Sequence, residues 1–159
     1  MHNFEEIKKE FQENESKTDG WKIMAKVTDI IRDIGANFLE MDGAALADAQ
    51  SKLAGYKFFL ADYISDLNRL SEEYKLQIKT TKASKWDEVT EEIKAKDGRV
   101  KNKEQIDNVI LLMTQETHYL QILHETLYYQ YKLKISSIDS ILTAITQRIS
   151  ELKKQMTQV

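Results

Sequence analysis

An all-α fold is predicted for this chain, and three observations predict it. The 159 residues include no proline and only five glycines. Inside a helix, proline costs about 3 kcal/mol and glycine about 1 kcal/mol relative to alanine. Gly20, Gly35, Gly43 and Gly55 fall in the first third, and only Gly98 follows. A β-protein of this length needs many turns, which consume Gly, Pro and Asn-Gly pairs. The C-terminal two-thirds therefore reads as two long helices with one break. The expected architecture is a long antiparallel helical hairpin with short N-terminal helices, built into an oligomeric helical assembly.

Residues 1–159 read as a single helical domain, because domains usually run about 100–200 residues. Hydrophobic residues make up 42% and charged residues 31%, enough apolar content to fill a core. Residues 1–43 form the short N-terminal helices. Phe4–Asn14 is a charged helix with Phe4, Ile7 and Phe11 on one face. After a polar linker, Asp19 is placed to cap a second helix over Gly20–Leu39, with Ile23, Val27, Ile30, Ile31 and Ile34 as its apolar positions. Asp42 is placed to cap the next.

The first long helix is expected over residues 44–85. Leu53, Tyr56, Leu60, Tyr63, Leu67, Leu70 and Tyr74 alternate steps of three and four, which makes a heptad seam that needs a partner helix. Residues 86–102 form a basic connecting segment, with room for one more turn or two over Trp86–Lys94 and a turn at Asp97-Gly98. Asn102 is the candidate cap of the long C-terminal helix, 103–157, with Gln105 at the capping-box position. Ile106, Ile110, Met113, Leu120, Leu123 and Leu127 line its first half. Ile135, Ile138, Leu142, Ile145, Ile149, Leu152 and Met156 line its second half in a different phase, so a bend is expected near Ser136-Ser137. A monomeric hairpin would leave seam residues such as Tyr63 or Ile149 partly wet. Oligomerisation is one remedy; the other is a compact bundle in which the N-terminal helices cover the hairpin.

Residues fit for catalysis are scarce. Cysteine is absent, which excludes disulfides, thiolate zinc sites and cysteine nucleophiles and leaves the chain indifferent to redox compartment. His118 and His124 are six apart and face different sides of a helix, and neither they nor His2 belong to a His-Glu-x-x-His or Glu-x-x-His pair. The adjacent acids Glu5-Glu6, Glu72-Glu73 and Glu91-Glu92 point about 100° apart on a helix and read as solvated charges. No phosphate-cradling glycine loop and no nucleophile elbow is present. No enzymatic activity, metal or cofactor is expected. No charge-free run approaches the roughly 18 residues of a membrane helix, so no membrane association is expected. The acidic Met1–Glu10 is not a secretory signal. A cytoplasmic location is expected by default, the host cytoplasm if the chain is phage-encoded.

One charge pattern stands out. Lys75, Lys79, Lys82 and Lys85 share a helix face and lead to Trp86. Lys94, Lys96, Arg99, Lys101 and Lys103 follow an acidic stretch. Lys75–Lys103 holds nine basic and five acidic residues, a net +4, against −3 for the chain and so −7 for the rest. A basic tip on an acidic body suits a nucleic acid. Simple solvation of the lysines is the alternative. Trp86 and Tyr74 are candidates to stack on unpaired bases, or to close the core.

The run Tyr74-Lys75-Leu76-Gln77-Ile78-Lys79-Thr80-Thr81-Lys82-Ala83-Ser84-Lys85-Trp86, with Leu127-Tyr128-Tyr129 and the segment Ser140-Ile141-Leu142-Thr143-Ala144-Ile145-Thr146-Gln147-Arg148-Ile149-Ser150-Glu151-Leu152, resembles the UvsY-type recombination mediators of tailed phages. The similarity spans roughly Leu53–Lys154; residues 1–50 have no counterpart. Where the family often carries an aromatic pair and a glycine after its basic run, this chain has Trp86-Asp87-Glu88-Val89. The resemblance implies an oligomeric, non-enzymatic factor that binds single-stranded DNA, contacts the single-strand-binding protein and helps load a recombinase. It implies phosphate contacts from Lys75, Lys79, Lys82 and Lys85. It also implies an assembly surface along Ile135, Ile138, Leu142, Ile145, Ile149 and Leu152. The competing reading is a helical scaffold or adaptor whose lysines are merely solvated.

Overall fold

The computed structural model describes residues 3–99 and 103–157, and its regular structure is all helix: α1 Phe4–Glu15, α2 Asp19–Asn37, α3 Gly43–Asp97, α4 Lys103–Met113 and α5 Gln115–Thr157. Among the described residues there is no strand. The fold is all-α, with two long helices, α3 and α5. By their contacts the residues fall into two compact units. The described residues of Met1–Glu13 and Leu67–Leu127 form the first unit; those of Asn14–Asp66 and Tyr128–Val159 form the second.

Local chemistry sets the helix ends. Asn3 opens α1 with a reciprocal capping pair: the Glu6 N–H donates to Asn3 Oδ1 and the Asn3 N–H donates to the Glu6 carboxylate, each at 3.0 Å. The cap of α2 is Thr18, not Asp19, because the Thr18 hydroxyl accepts the Trp21 N–H at 3.2 Å. Asp42 caps α3 as expected, accepting the Ala45 N–H at 2.7 Å. Asn102, the expected cap of the following helix, lies outside the described residues. The capping box that would join Gln105 to it lies outside them too; the Gln105 side-chain amide donates to Asp97 at 3.0 Å.

In the first unit, α3 runs antiparallel to the chain from Lys103 onward. Lys75 pairs with Glu125, and Lys82, further along α3, pairs with Asp107, which comes earlier in the sequence. The sequence places a connecting segment at 86–102, but α3 continues as helix to Asp97. The reason is tertiary: Val89 and Ile93 bury themselves against Ile106 and Ile110, with Trp86 and Val109 packed on the edge. Gly98 then ends the helix with φ 75°, its N–H bonded to the Lys94 carbonyl at 2.8 Å, a left-handed termination that glycine adopts without a Cβ penalty. The amphipathic face of α1 is covered as its spacing predicts. Ile7 is buried, Phe4 meets Tyr119 edge-on, and Phe11 meets His124, both at 4.9 Å between ring centres.

The predicted single helix over 103–157 is interrupted at Thr114. The buried Thr114 hydroxyl donates back to the Ile110 carbonyl at 2.9 Å, a back-bond that perturbs a helix. Ser136 and Ser137 remain helical. Met113, placed on the apolar seam by spacing, is exposed beside this break.

In the second unit, Gln50 bonds Thr146 at 2.9 Å and Lys57 bonds Asp139 at 2.5 Å. Positions rise on α3 as they fall on α5, so these segments too are antiparallel. Leu46, Leu53, Leu60, Val27, Ile138 and Ile145 are fully buried. A carboxylate sits among the aromatic residues. Glu15 is buried and accepts hydrogen bonds from the Tyr63 and Tyr131 hydroxyls, the latter at 3.1 Å. Burial pushes both phenols above their usual range, and the nearby Glu15 charge adds to the shift. Gly20 is buried against Tyr63, where an added Cβ would overlap the ring.

Candidate nucleic-acid interface

The four stripe lysines do share one face of α3, but their surroundings differ. Lys75 bonds Glu72 at 2.9 Å and Glu125 at 3.2 Å. These two carboxylates, Glu72 first, hold its ammonium above the usual lysine range. Lys85 bonds Glu88 at 2.5 Å. Lys82 Nζ lies 2.5 Å from Asp107 Oδ1. Lys79 makes no ion pair among the described residues. Three of the four cations therefore have carboxylate partners within the chain.

Lys79 and Lys82 come together with Ala83, Trp86, Asp87 and Lys103 to line an open groove of about 490 Å³. Helical spacing puts Lys79, Lys82, Ala83 and Trp86 on one side of α3. Lys103 arrives from the start of α4. The Trp86 ring is half-buried, anchored by the Val89–Ile110 cluster beneath it. The ammonium groups of Lys82 and Lys103 stand 5.8 and 5.9 Å from its ring centre, within reach of cation–π attraction. Both readings made of Trp86 from the sequence thus describe part of the same side chain: one part packs on the core, the other faces the groove.

The remaining predicted contacts stand apart from this groove. Lys94 bonds Glu91 at 2.7 Å. Lys96 and Arg99 are exposed and make no ion pair among the described residues. Lys101 lies outside the described residues. Sequence reasoning missed Asp87 as a lining residue and Asp107 as a partner. Asp107 faces Lys82 only because of the register between α3 and α4, which no local pattern encodes.

The predicted assembly surface is divided between core and surface. Ile138 and Ile145 have 0% exposure within this single chain, so they fill its own core and are closed to a second copy. Ile135, Leu142, Ile149 and Leu152 are half-buried.

Other chemistry is sparse. Among the described residues, no three His, Asp or Glu side chains are grouped to hold a metal ion. His124 is half-buried, with Nδ1 2.8 Å from the Leu120 carbonyl. Among the described residues, no helix is long and apolar enough to cross a membrane. The chain matches no family model, no curated protein and no solved structure.

Proposed function

We propose that this chain is a single-stranded-DNA-binding accessory protein that uses the Trp86 groove. One observation supports the reading above others: Lys82 and Lys103 stand beside a single partly open indole, in a groove that Lys79 also lines. An aromatic face accepts any unpaired base by stacking, and ammonium groups beside it take the flanking phosphates. No base-edge reader is needed, so binding is sequence-tolerant. In its finer form, drawn from the resemblance to UvsY-type mediators, the protein is a homo-oligomer that holds the strand while a recombinase replaces single-strand-binding protein. A single groove with three lysines binds weakly. Several grooves on one assembly raise avidity by about 10²–10⁴-fold without new contacts.

The alternative, a helical scaffold or adaptor, draws on a different observation. Lys75, Lys82, Lys85 and Lys94 already have carboxylate partners, as lysines on an ordinary solvated helix do.

Titration of a labelled single-stranded oligonucleotide at about 50 and about 200 mM salt separates the two. The DNA reading requires binding that weakens with salt, with a log–log slope of about −0.7 per phosphate neutralised. It also requires loss of binding when Lys79 and Lys103 become Glu. Absence of binding at the lower salt, from protein whose mass is established by light scattering, favours the scaffold.

A further inference from the structure

The groove contains one cation that is already claimed. Lys82 Nζ stands both 5.8 Å from the Trp86 ring centre and 2.5 Å from Asp107 Oδ1. Lys79 and Lys103 line the same groove and make no ion pair among the described residues. Asp87, the groove's own carboxylate, makes none among them either. The Lys82 side chain is 46% exposed, so a dissolved anion can reach its ammonium, whereas the Asp107 oxygen facing it is buried and holds it by charge alone, without a hydrogen bond.

We propose that Asp107 is the groove's internal competitor for phosphate, occupying the place that a phosphate oxygen takes when a strand binds. This rests on the single-strand reading above. Lys82 has one ammonium, and a phosphate that approaches it beside Trp86 competes with the Asp107 carboxylate for the same positive charge. The carboxylate is covalently tethered and so always at high local concentration. A lone mononucleotide competes poorly against it. A polynucleotide already held by Lys79, Lys103 and the indole competes well, because its next phosphate is also tethered. Asp107 thereby biases the groove toward strands over free nucleotides and keeps it weak enough to release them.

The test compares wild-type protein with Asp107→Asn, Glu104→Gln and Lys82→Ala, and with the Lys82→Ala, Asp107→Asn double variant, on one oligothymidylate. Glu104 is one helical turn from Asp107 and exposed, so its variant makes the same change in net charge without touching Lys82. Circular dichroism and thermal melting establish that each variant is folded. Asp107→Asn is expected to tighten binding by about two- to fivefold, the range of an exposed ion pair. It is also expected to steepen the log–log salt slope by about 0.7, one additional phosphate. Glu104→Gln should change affinity less, and once Lys82 is alanine Asp107→Asn should gain no more than Glu104→Gln does. Lys82→Ala, which needs no change at Asp107, should weaken binding less than Lys79→Ala or Lys103→Ala.

If wild-type protein binds the oligonucleotide but Asp107→Asn leaves affinity unchanged, the competitor role is wrong and the DNA reading survives. The competitor role fails in the same way if Glu104→Gln gains as much, or if the gain beyond that of Glu104→Gln persists without Lys82. If wild-type protein does not bind at all, both fall together.

Discussion

The Tyr131 hydroxyl donates a 3.1 Å hydrogen bond to Glu15, 116 positions earlier in the chain. Tyr63 donates to the same oxygen. Glu15→Ala takes the acceptor from the hydroxyl of buried Tyr131, while half-buried Tyr63 keeps its contact with Thr18, and an unsatisfied polar group costs about 1–3 kcal/mol. Tyr131→Phe leaves Glu15 its bond from Tyr63 and should cost about 1 kcal/mol. Urea denaturation of the two variants checks the order. Equal losses would mean that the carboxylate is solvated after all.

The same cluster makes the protein sensitive to alkali. The folded state holds both phenols above the unfolded value of about 10. A group whose folded pKa is raised contributes stability that is complete below the unfolded pKa and is lost as pH climbs toward the folded one. Stability is therefore expected to fall above about pH 10. Tyr131→Phe should flatten that fall, although it is the less stable protein at neutrality. Thermal melts between neutral and strongly alkaline pH read this directly. A variant as sensitive as wild type would contradict it.

Gly20 should not tolerate a methyl group. Alanine is the better helix former by about 1 kcal/mol, yet its Cβ would overlap the Tyr63 ring. Either the ring or α2 must move, so Gly20→Ala should lose about 1–3 kcal/mol, as overpacked sites do. In a Tyr63→Ala background the same substitution should become neutral or stabilising, and a double-mutant cycle measures the difference.

Ile145 is better understood as core than as an assembly contact. Ile145→Ala should cost about 2–5 kcal/mol, and Ile145→Asp should leave the second unit unfolded by circular dichroism. If Ile145→Asp instead remains helical and only its mass by light scattering changes, the residue is an intermolecular contact as the resemblance implies.

Within the basic region the lysines should not be equivalent. Lys79→Glu and Lys103→Glu should weaken oligonucleotide binding more than Lys75→Glu or Lys85→Glu, whose cations already face Glu72, Glu125 and Glu88. Trp86→Ala should cost about 1–3 kcal/mol, the range of one base stacked on an aromatic ring. A uniform effect across the four lysines, with Trp86 silent, would point to diffuse electrostatics in place of a groove.

Periodicity and composition are local properties, and what they control was legible. The step of three and four through Leu53, Leu60 and Leu67 marks three positions that are buried, because each seam residue needs cover whatever the partner. The Asp97-Gly98 turn was legible because a positive φ at Gly98 has a chemical signature. The continuation of α3 to Asp97 was not. It depends on Val89 and Ile93 meeting Ile106 and Ile110, a contact between distant segments. The interruption at Thr114 has no local signature either: Thr80, Thr143 and Thr146 make the same hydroxyl-to-carbonyl back-bond within unbroken helix. At the candidate site, the lysine types and their shared face were readable, but their availability was not, since Asp107 and Glu125 reach the stripe from other helices.

Only two indoles occur in the chain, Trp21 and Trp86. Trp21 lies in the second unit and is exposed, whereas Trp86 lies in the first and has two ammonium groups near its ring. Replacing Trp21 with Phe would leave Trp86, at the groove, as the lone indole, excited apart from the seven tyrosines at the red edge of the absorption band. Its emission spectrum and quenching by iodide would then follow whatever enters, without an added dye.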